Sequence, residues 1–145
     1  MKDGTNRLIL FNLQGERYAL RLGDVAEVIE PPPIYPIPRA PRFFHGIINF
    51  HGTLVSVLDL ADFLKGIRFH SRGQLLALDS RIASLALLVE SVESVRSEDV
   101  VQEERAGDEN LVEKILIIAD REVVMLSVEK LVDRLEEILM ETGKS

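Results

Sequence analysis

The sequence contains no cysteine, and its apolar runs are short. Without cysteine the chain cannot form a disulfide, a thiolate metal site or a cysteine nucleophile, and a reducing compartment suits this composition. A helix that crosses a bilayer needs about 20 consecutive apolar residues, which no run provides. The polar first residues, MKDGTNR, also lack the apolar segment of a secretory signal peptide. We therefore expect a soluble, cytoplasmic protein.

The chain has fewer basic than acidic residues, and the whole excess of acidic residues lies in its second half. Residues 1–66 carry seven basic and seven acidic side chains, whereas residues 67–145 carry ten and seventeen, for a net charge of −7. Nucleic-acid binding needs a basic surface that neutralises phosphates, so this composition argues against it. The acidic stretch from Glu90 to Glu113 is more typical of a solvated surface than of an acidic docking patch.

Short apolar runs with strand-like composition follow one another along the chain, separated by turn residues. The runs are 8–13, 17–22, 25–29, 46–50, 53–58, 74–79, 83–89, 92–96, 114–119 and 122–126. Four residue pairs between them are expected hairpin tips: Gln14-Gly15, His51-Gly52, Ser80-Arg81 and Asp120-Arg121. This pattern predicts a mostly β protein with many antiparallel strands.

Helical patterns are rarer than strand patterns. Residues 128–141 repeat apolar side chains at helical spacing, with Ser127 as an expected N-cap and Gly143 as an expected stop. A stripe of two heptads is more typical of a helix packed on its own domain than of a coiled coil. A shorter helical turn is predicted for LADFLKG, residues 60–66.

All six prolines lie within residues 31–41, PPPIYPIPRAP. Because proline has no N–H group and a fixed φ, this segment cannot be a helix or a central strand. It could serve as a polyproline ligand, but its position between strands of one domain favours an extended crossover.

The chain contains an internal repeat. Residues 46–64 align without gaps on residues 114–132, and the apolar positions of the preceding strands align in the same way. Each copy would supply about five strands, which close most economically as a small barrel. We expect one domain, residues 1–145, made of two packed five-stranded barrels (about 8–66 and 73–127) and a C-terminal helix, 128–141.

No catalytic or metal-binding motif is present in the sequence. The histidines His45, His51 and His70 lack the spacing of a zinc site, and a strand rise of about 3.3 Å per residue puts the first two about 20 Å apart. Ser56 lacks the glycines of a nucleophile elbow, and no glycine-rich loop precedes a helix. The residues therefore give no positive evidence for an enzyme.

Two features near the expected tips are not explained by core packing alone. Glu27 lies between two valines of a strand, and the tip Phe50-His51-Gly52 carries a large ring and an imidazole where a turn needs only polar residues. These groups could form a docking surface. Alternatively, Gly52 and His51 form an ordinary tight turn, with Phe50 pointing inward.

Six segments in order along the chain resemble motifs of the CheW family, the coupling proteins that link bacterial chemoreceptors to the histidine kinase CheA. FNLQGERYALRL is similar to the opening hairpin, VAEVIE to V-x-E-V-I, IPRAPRFFHGIINFHG to I-P-x-x-P-x-F-x-x-G-V-x-N-L-R-G, and VSVLDL to V-P-V-[IV]-D-L. LALLVESVESV resembles G-L-L-V-D-x-V-x-x-V, and VVMLSVEKLV resembles the closing L-D-x-x-x-L-L. The central motif is the most specific of these.

This resemblance implies two Src-homology-3-like barrels and a non-catalytic adaptor without cofactor or metal. The implied partners are the regulatory domain of a CheA-type kinase and the cytoplasmic tip of a chemoreceptor (methyl-accepting chemotaxis protein), with no nucleic acid and no membrane insertion. Such an adaptor would be cytoplasmic and recruited to membrane receptor arrays. By motif, the partner-binding residues are Val25, Glu27, Val28, Gly46, Asn49, Phe50, His51 and Gly52.

The sequence departs from the family motifs at four positions. His51 replaces the usual Arg, Phe50 replaces Leu, Ser56 replaces Pro, and Ala86 replaces a Gly. Histidine has neither the bidentate fork nor the permanent charge of arginine. Two interpretations follow: a coupling protein whose receptor suits histidine, or a CheW-fold scaffold in another pathway, such as pilus or gene regulation, that no longer couples the usual kinase.

Overall fold

The computed structural model describes residues 6–68, 72–108 and 110–143, so His70 lies outside the described residues. The strands are β1 (Arg7–Leu13), β2 (Glu16–Arg21), β3 (Val25–Ile29), β4 (Phe44–Phe50), β5 (Thr53–Asp59), β6 (Gln74–Leu78), β7 (Leu85–Val89), β8 (Ser91–Ser97), β9 (Glu103–Ala106), β10 (Val112–Ile118) and β11 (Arg121–Leu126). The helices are α1 (Leu60–Lys65) and α2 (Val128–Gly143), with 3₁₀ turns at Leu22–Asp24 and Glu98–Val100.

The strands form two sheets, which confirms a mostly β fold with a C-terminal helix. One sheet has the order β8-β1-β2-β11-β10-β9, and the other has the order β3-β6-β7-β5-β4. The first therefore has six strands instead of the predicted five. The additional strand, β9, was not predicted because all four of its residues are exposed and carry no apolar alternation.

The sheets do not coincide with the predicted subdomains, 8–66 and 73–127. The hairpin β1–β2 joins the sheet of β8–β11, while its counterpart in the repeat, β6–β7, joins the sheet of β3–β5. Each repeat thus gives its first hairpin to the other repeat's sheet, through parallel pairing of β2 with β11 and of β7 with β5. This exchange places β7, which is buried along its whole length, inside a sheet.

Three apolar clusters make up the core. The largest lies between the sheets and also receives α2, while the other two lie on the far faces of the six-stranded and five-stranded sheets. Along β7, Leu87 and Val89 belong to the cluster between the sheets, whereas Ala86 and Leu88 belong to the cluster of the five-stranded sheet. This alternation is the period of two that a strand buried on both faces must show.

The proline-rich segment forms the predicted crossover, which we call the strap (residues 31–41). It connects β3 to β4, the two outer strands of the five-stranded sheet. The backbone N–H groups of Tyr35 and Ile47 each donate to the other residue's carbonyl, at 2.9 and 2.8 Å. Because the prolines lack N–H groups, the strap cannot extend this single bridge into a strand. Within the described residues, neither sheet is closed into a barrel by strand pairing.

Two predicted hairpin tips are confirmed. Gln14 and Gly15 have φ of 50° and 81°, and His51 and Gly52 have φ of 52° and 84°. Positive φ at both central residues is the signature of a type I′ turn, whose twist matches that of the flanking strands. The connection between β4 and β5 is therefore short and conformationally restricted.

The other two tips differ from the prediction. Between β10 and β11 the positive φ values fall on Ala119 and Asp120, so the turn lies one residue earlier and Arg121 begins the strand. The residues between β6 and β7 form a longer loop instead of a two-residue turn. There the Asp79 carboxylate accepts a hydrogen bond from the Arg81 backbone N–H at 2.9 Å, which stabilises the loop in place of a tight turn.

The predicted helices are confirmed. At α2, Ser127 Oγ accepts a hydrogen bond from the Lys130 backbone N–H at 3.2 Å, as an N-cap does. The first half of the helix packs into the cluster between the sheets through Val128, Leu131 and Leu135. The helix continues through Gly143, beyond the predicted end at residue 141.

Candidate functional site

The candidate site lies at one end of the five-stranded sheet, between β3 and the β4–β5 tip. Glu27 is on β3, and His51 is in the turn; Glu27 Oε1 and His51 Nε2 are 3.1 Å apart. β3 and β4 are the outer strands of the sheet and do not pair with each other. The side-chain hydrogen bond therefore joins two edges that the backbone leaves apart.

The turn that carries His51 is held by its own residues. Asn49 Oδ1 accepts a hydrogen bond from the Gly52 backbone N–H at 2.9 Å. His51 has positive φ without being glycine, a conformation that the type I′ turn imposes on it. The backbone thus fixes the direction in which the imidazole projects.

The tip presents an aromatic pair whose two rings differ in burial. The Phe50 and His51 ring centroids lie 4.3 Å apart at an angle of 50°. Phe50 is half-buried against the apolar cluster of the five-stranded sheet, whereas 71% of the His51 side chain is exposed. Phe50 therefore packs partly inward, as in an ordinary tight turn, while His51 faces solvent.

A cavity of about 220 Å³ opens beside the tip, and His51 is part of its lining. We call this cavity, together with the Glu27 side chain that contacts His51, the mouth. Apolar side chains from all five strands of the sheet line most of it: Ala26, Phe50, Val55, Ala77, Leu78 and Leu85. Its lining among the described residues contains no aspartate, glutamate, lysine or arginine. A small apolar recess thus lies next to an exposed carboxylate and an imidazole.

The other predicted site residues have different environments. Val25 is half-buried against the cluster between the sheets, and Val28 is exposed on β3. Gly46 is buried, with φ of 152°. A Cβ atom there would lie 2.5 Å from the Tyr35 carbonyl oxygen, so Gly46 lets the strap approach β4. Any effect of Gly46 on binding would therefore act through the strap.

Comparison with known families matches residues 7–136 to the CheW-like domain. The chain belongs to the CheW-like domain family. Comparison with curated proteins gave no match. Among solved structures it is similar to the scaffolding protein TtCheW from Thermoanaerobacter tengcongensis, with 28% identity and a TM-score of 0.71. The match covers 85% of this chain and 89% of that one, so it includes both sheets.

On the β4–β5 hairpin and the strap, the CheW-like domain also exposes two large apolar residues that sequence reasoning missed. Leu54, opposite Asn49 in the hairpin, has 69% of its surface exposed, and Tyr35 on the strap has 64% exposed. Leu54 could have been found from the alternation along β5, because buried Val55 and Val57 place it on the opposite face. Tyr35 could not, because the strap has no strand period.

The buried acids of this CheW-like domain stabilise local structure. The Asp59 carboxylate caps α1 by accepting from the Asp62 backbone N–H at 3.1 Å, and burial raises the pKa of Asp59. The Asp62 carboxylate pairs with Arg42 and Arg68 at 3.1 and 3.2 Å. These contacts tie the residues after the strap to α1, and both carboxylates are engaged in them.

Neither a metal-ion cluster nor a membrane-spanning helix is found among the described residues. No group of three or more histidine, aspartate or glutamate side chains among them could hold a metal ion. None of the helices they form has both the length and the apolar content required to span a bilayer.

Proposed function

We propose that this protein is a non-catalytic adaptor that couples chemoreceptors to a CheA-type histidine kinase in bacterial chemotaxis. Membership of the CheW-like family and similarity to a scaffolding protein support this role. The observation that carries it is the rigid β4–β5 tip, which presents His51 beside Glu27 at the end of a sheet. The protein would act in the cytoplasm and be recruited to receptor arrays.

The proposed binding surface consists of residues from β3 and from the β4–β5 hairpin. Val28, Glu27, Asn49, His51 and Gly52 are exposed and can touch a partner directly. The half-buried Phe50 and Val25 contribute apolar surface at the edges, while buried Gly46 holds the strap in place. Rigid presentation favours binding because little conformational entropy is lost when a partner docks.

The absence of catalysis is part of the proposal. Aspartate carboxyls that are buried and raised in pKa can mark active sites. Here Asp59, the buried carboxyl with the raised pKa, caps α1, so its environment has a structural explanation. The buried Asp62 carboxylate pairs with two arginines. What the mouth offers is a carboxylate, an imidazole and an apolar recess, which suit recognition of another protein.

The test is binding of the protein to two fragments from the same genome: the kinase regulatory domain and the receptor's cytoplasmic hairpin. We expect both fragments to bind and His51→Ala to weaken at least one of them. His45→Ala is the matched control, because His45 is also an exposed histidine on β4 but lies away from the tip. Failure of the unmodified protein to bind either fragment would contradict the proposal and favour a scaffold in another pathway, such as pilus or gene regulation.

A further inference from the structure

Two arginines share one buried carboxylate at the end of β4 that lies opposite the tip. Arg42 precedes β4, and Arg68 follows α1; we call these two residues the arginine pair. The Nε atoms of both donate to the same oxygen, Asp62 Oδ2, at 3.1 and 3.2 Å. A guanidinium is charged at every pH that a protein experiences, so one carboxylate balances only one of the two cations. The arginine pair therefore carries an excess positive charge.

Both guanidiniums are held in place, yet they keep donors available. The Asp62 side chain is 6% exposed, whereas those of Arg42 and Arg68 are 63% and 44% exposed. Arg68 Nη2 also donates to the Arg42 carbonyl at 2.7 Å. Among the described residues, Nη1 of neither arginine has a hydrogen-bond partner. Because both Nε atoms contact one oxygen, they lie at most about 6 Å apart, and a single anionic segment can reach both guanidiniums.

The other arginine ion pairs of the described residues leave no such excess. Arg17, Arg21 and Arg81 each pair with a single acid, and Arg105 contacts two glutamates. One arginine would be enough to neutralise Asp62. In a chain with a net charge of −7, the second arginine therefore calls for an explanation besides stability.

Apolar surface adjoins the arginine pair. Ile67, the residue before Arg68, is 47% exposed. Phe43, the residue after Arg42, is half-buried, and its ring packs edge-on against Phe63 of α1 with the centroids 5.1 Å apart. Protein interfaces are enriched in arginine and aromatic side chains, whereas a site for a free anion needs only polar donors. These neighbours favour a protein segment over a free anion as the ligand.

We propose that the arginine pair binds an acidic segment of a partner protein. A carboxylate of the segment accepts from the Nη groups, and an apolar side chain beside it contacts Ile67. The buried Asp62 carboxylate fixes the donors, which reduces the conformational entropy lost on binding. This surface is separate from the mouth, because the seven residues of β4 put its two ends about 20 Å apart. It therefore stands independently of the proposed function.

A small acidic peptide tests the chemistry. Acetyl-Glu-Leu-Glu amide is titrated into the full chain and followed by ¹H–¹⁵N NMR, with acetyl-Gln-Leu-Gln amide as an uncharged control of the same shape. We expect the acidic peptide to shift the amide signals of Arg42, Ile67 and Arg68 more than the control does. Sodium chloride at about 0.5 M should weaken this binding, because salt screens exposed charges.

Two variants locate the cations. Arg42→Gln and Arg68→Gln should each raise Kd for the acidic peptide by about two- to fivefold, the range expected for one exposed charge pair. Each variant leaves the other arginine on Asp62, so the fold should be retained, which the ¹⁵N spectrum shows directly. Arg105→Gln is the matched control and should leave Kd unchanged, because it removes the same charge from a guanidinium that already has two glutamate partners.

Equal shifts with the two peptides, or no shift of these signals at about 50 mM acidic peptide, would overturn the proposal. So would an unchanged Kd in both Arg42→Gln and Arg68→Gln. An equal loss of affinity in Arg105→Gln would also overturn it, because the attraction would then belong to the charge of the whole protein. Tighter binding of inorganic phosphate than of the acidic peptide at the same signals would identify a site for a free anion and overturn the assignment to a protein segment.

Discussion

Gly46→Ala should destabilise the protein by displacing the strap. The new Cβ atom would lie 2.5 Å from the Tyr35 carbonyl oxygen and 2.6 Å from Ile34 Cγ2, and the backbone φ of 152° is one that residues with a side chain rarely adopt. The strap would have to move away from β4, which breaks the two hydrogen bonds between Tyr35 and Ile47. Backbone strain costs about 1–3 kcal/mol and each lost hydrogen bond about 0.5–1.5 kcal/mol, and partial relaxation reduces their sum.

We therefore expect the free energy of unfolding to fall by about 2–4 kcal/mol, measured by urea denaturation with an unchanged m-value. Hydrogen exchange should locate the change, because the amides of Tyr35 and Ile47 should lose protection before those of β7. Gly23→Ala is the matched control, since a Cβ atom at Gly23 would meet nothing within 4 Å. If the two variants were equally stable, or if the Tyr35 amide kept its protection in Gly46→Ala, the reasoning about the strap would be refuted.

Three further predictions address binding, charge and packing. His51→Ala should weaken partner binding by about 1–2 kcal/mol in calorimetry, and His51→Arg should change affinity without changing thermal stability; unchanged binding in both would exclude a partner-facing role. The Arg21 guanidinium lowers the pKa of Glu113, so their pair stabilises the fold at neutral pH and is lost as pH falls through that lowered pKa. Glu113→Gln should therefore cost up to about 1 kcal/mol at pH 7, and this cost should shrink as pH falls through the lowered pKa, as urea denaturation at a series of pH values would show. Leu87→Ala should lower the free energy of unfolding by about 2–5 kcal/mol because the side chain is fully buried between the sheets, whereas Leu139→Ala, at 43% exposed, should change it by less than about 0.5 kcal/mol; equal effects would contradict the packing described.

Local features of the fold were predictable because they depend on neighbouring residues. The tip at His51-Gly52 followed from a polar pair with glycine between two apolar runs, and the structure has a type I′ turn there. The start of α2 followed from Ser127 and the apolar stripe after it. The tip before Arg121 was misplaced by one residue, because Ala119 continues the apolar run and nothing in its side chain indicates positive φ.

The candidate site was predictable only as separate parts. Glu27 and His51 were both chosen from the sequence, but their contact spans 24 positions and depends on β3 and β4 ending up as the two edges of one sheet. The buried position of Gly46 depends on the strap that crosses it. The recess of the mouth requires side chains from five different strands, which no local pattern brings together.

By itself the sequence determined the strand periods, the confinement of proline to one segment and the presence of two equivalent repeats, because each is a matter of spacing along the chain. Only the tertiary structure decided that the repeats exchange their first hairpins. The two repeats have equivalent patterns of apolar residues, so the first hairpin of each repeat could pair with its own repeat or with the other one. Parallel pairing of β2 with β11 and of β7 with β5 buries both faces of the central strands, and this burial decides between the two arrangements. That same choice leaves β3 and β4 as edges and so creates the mouth.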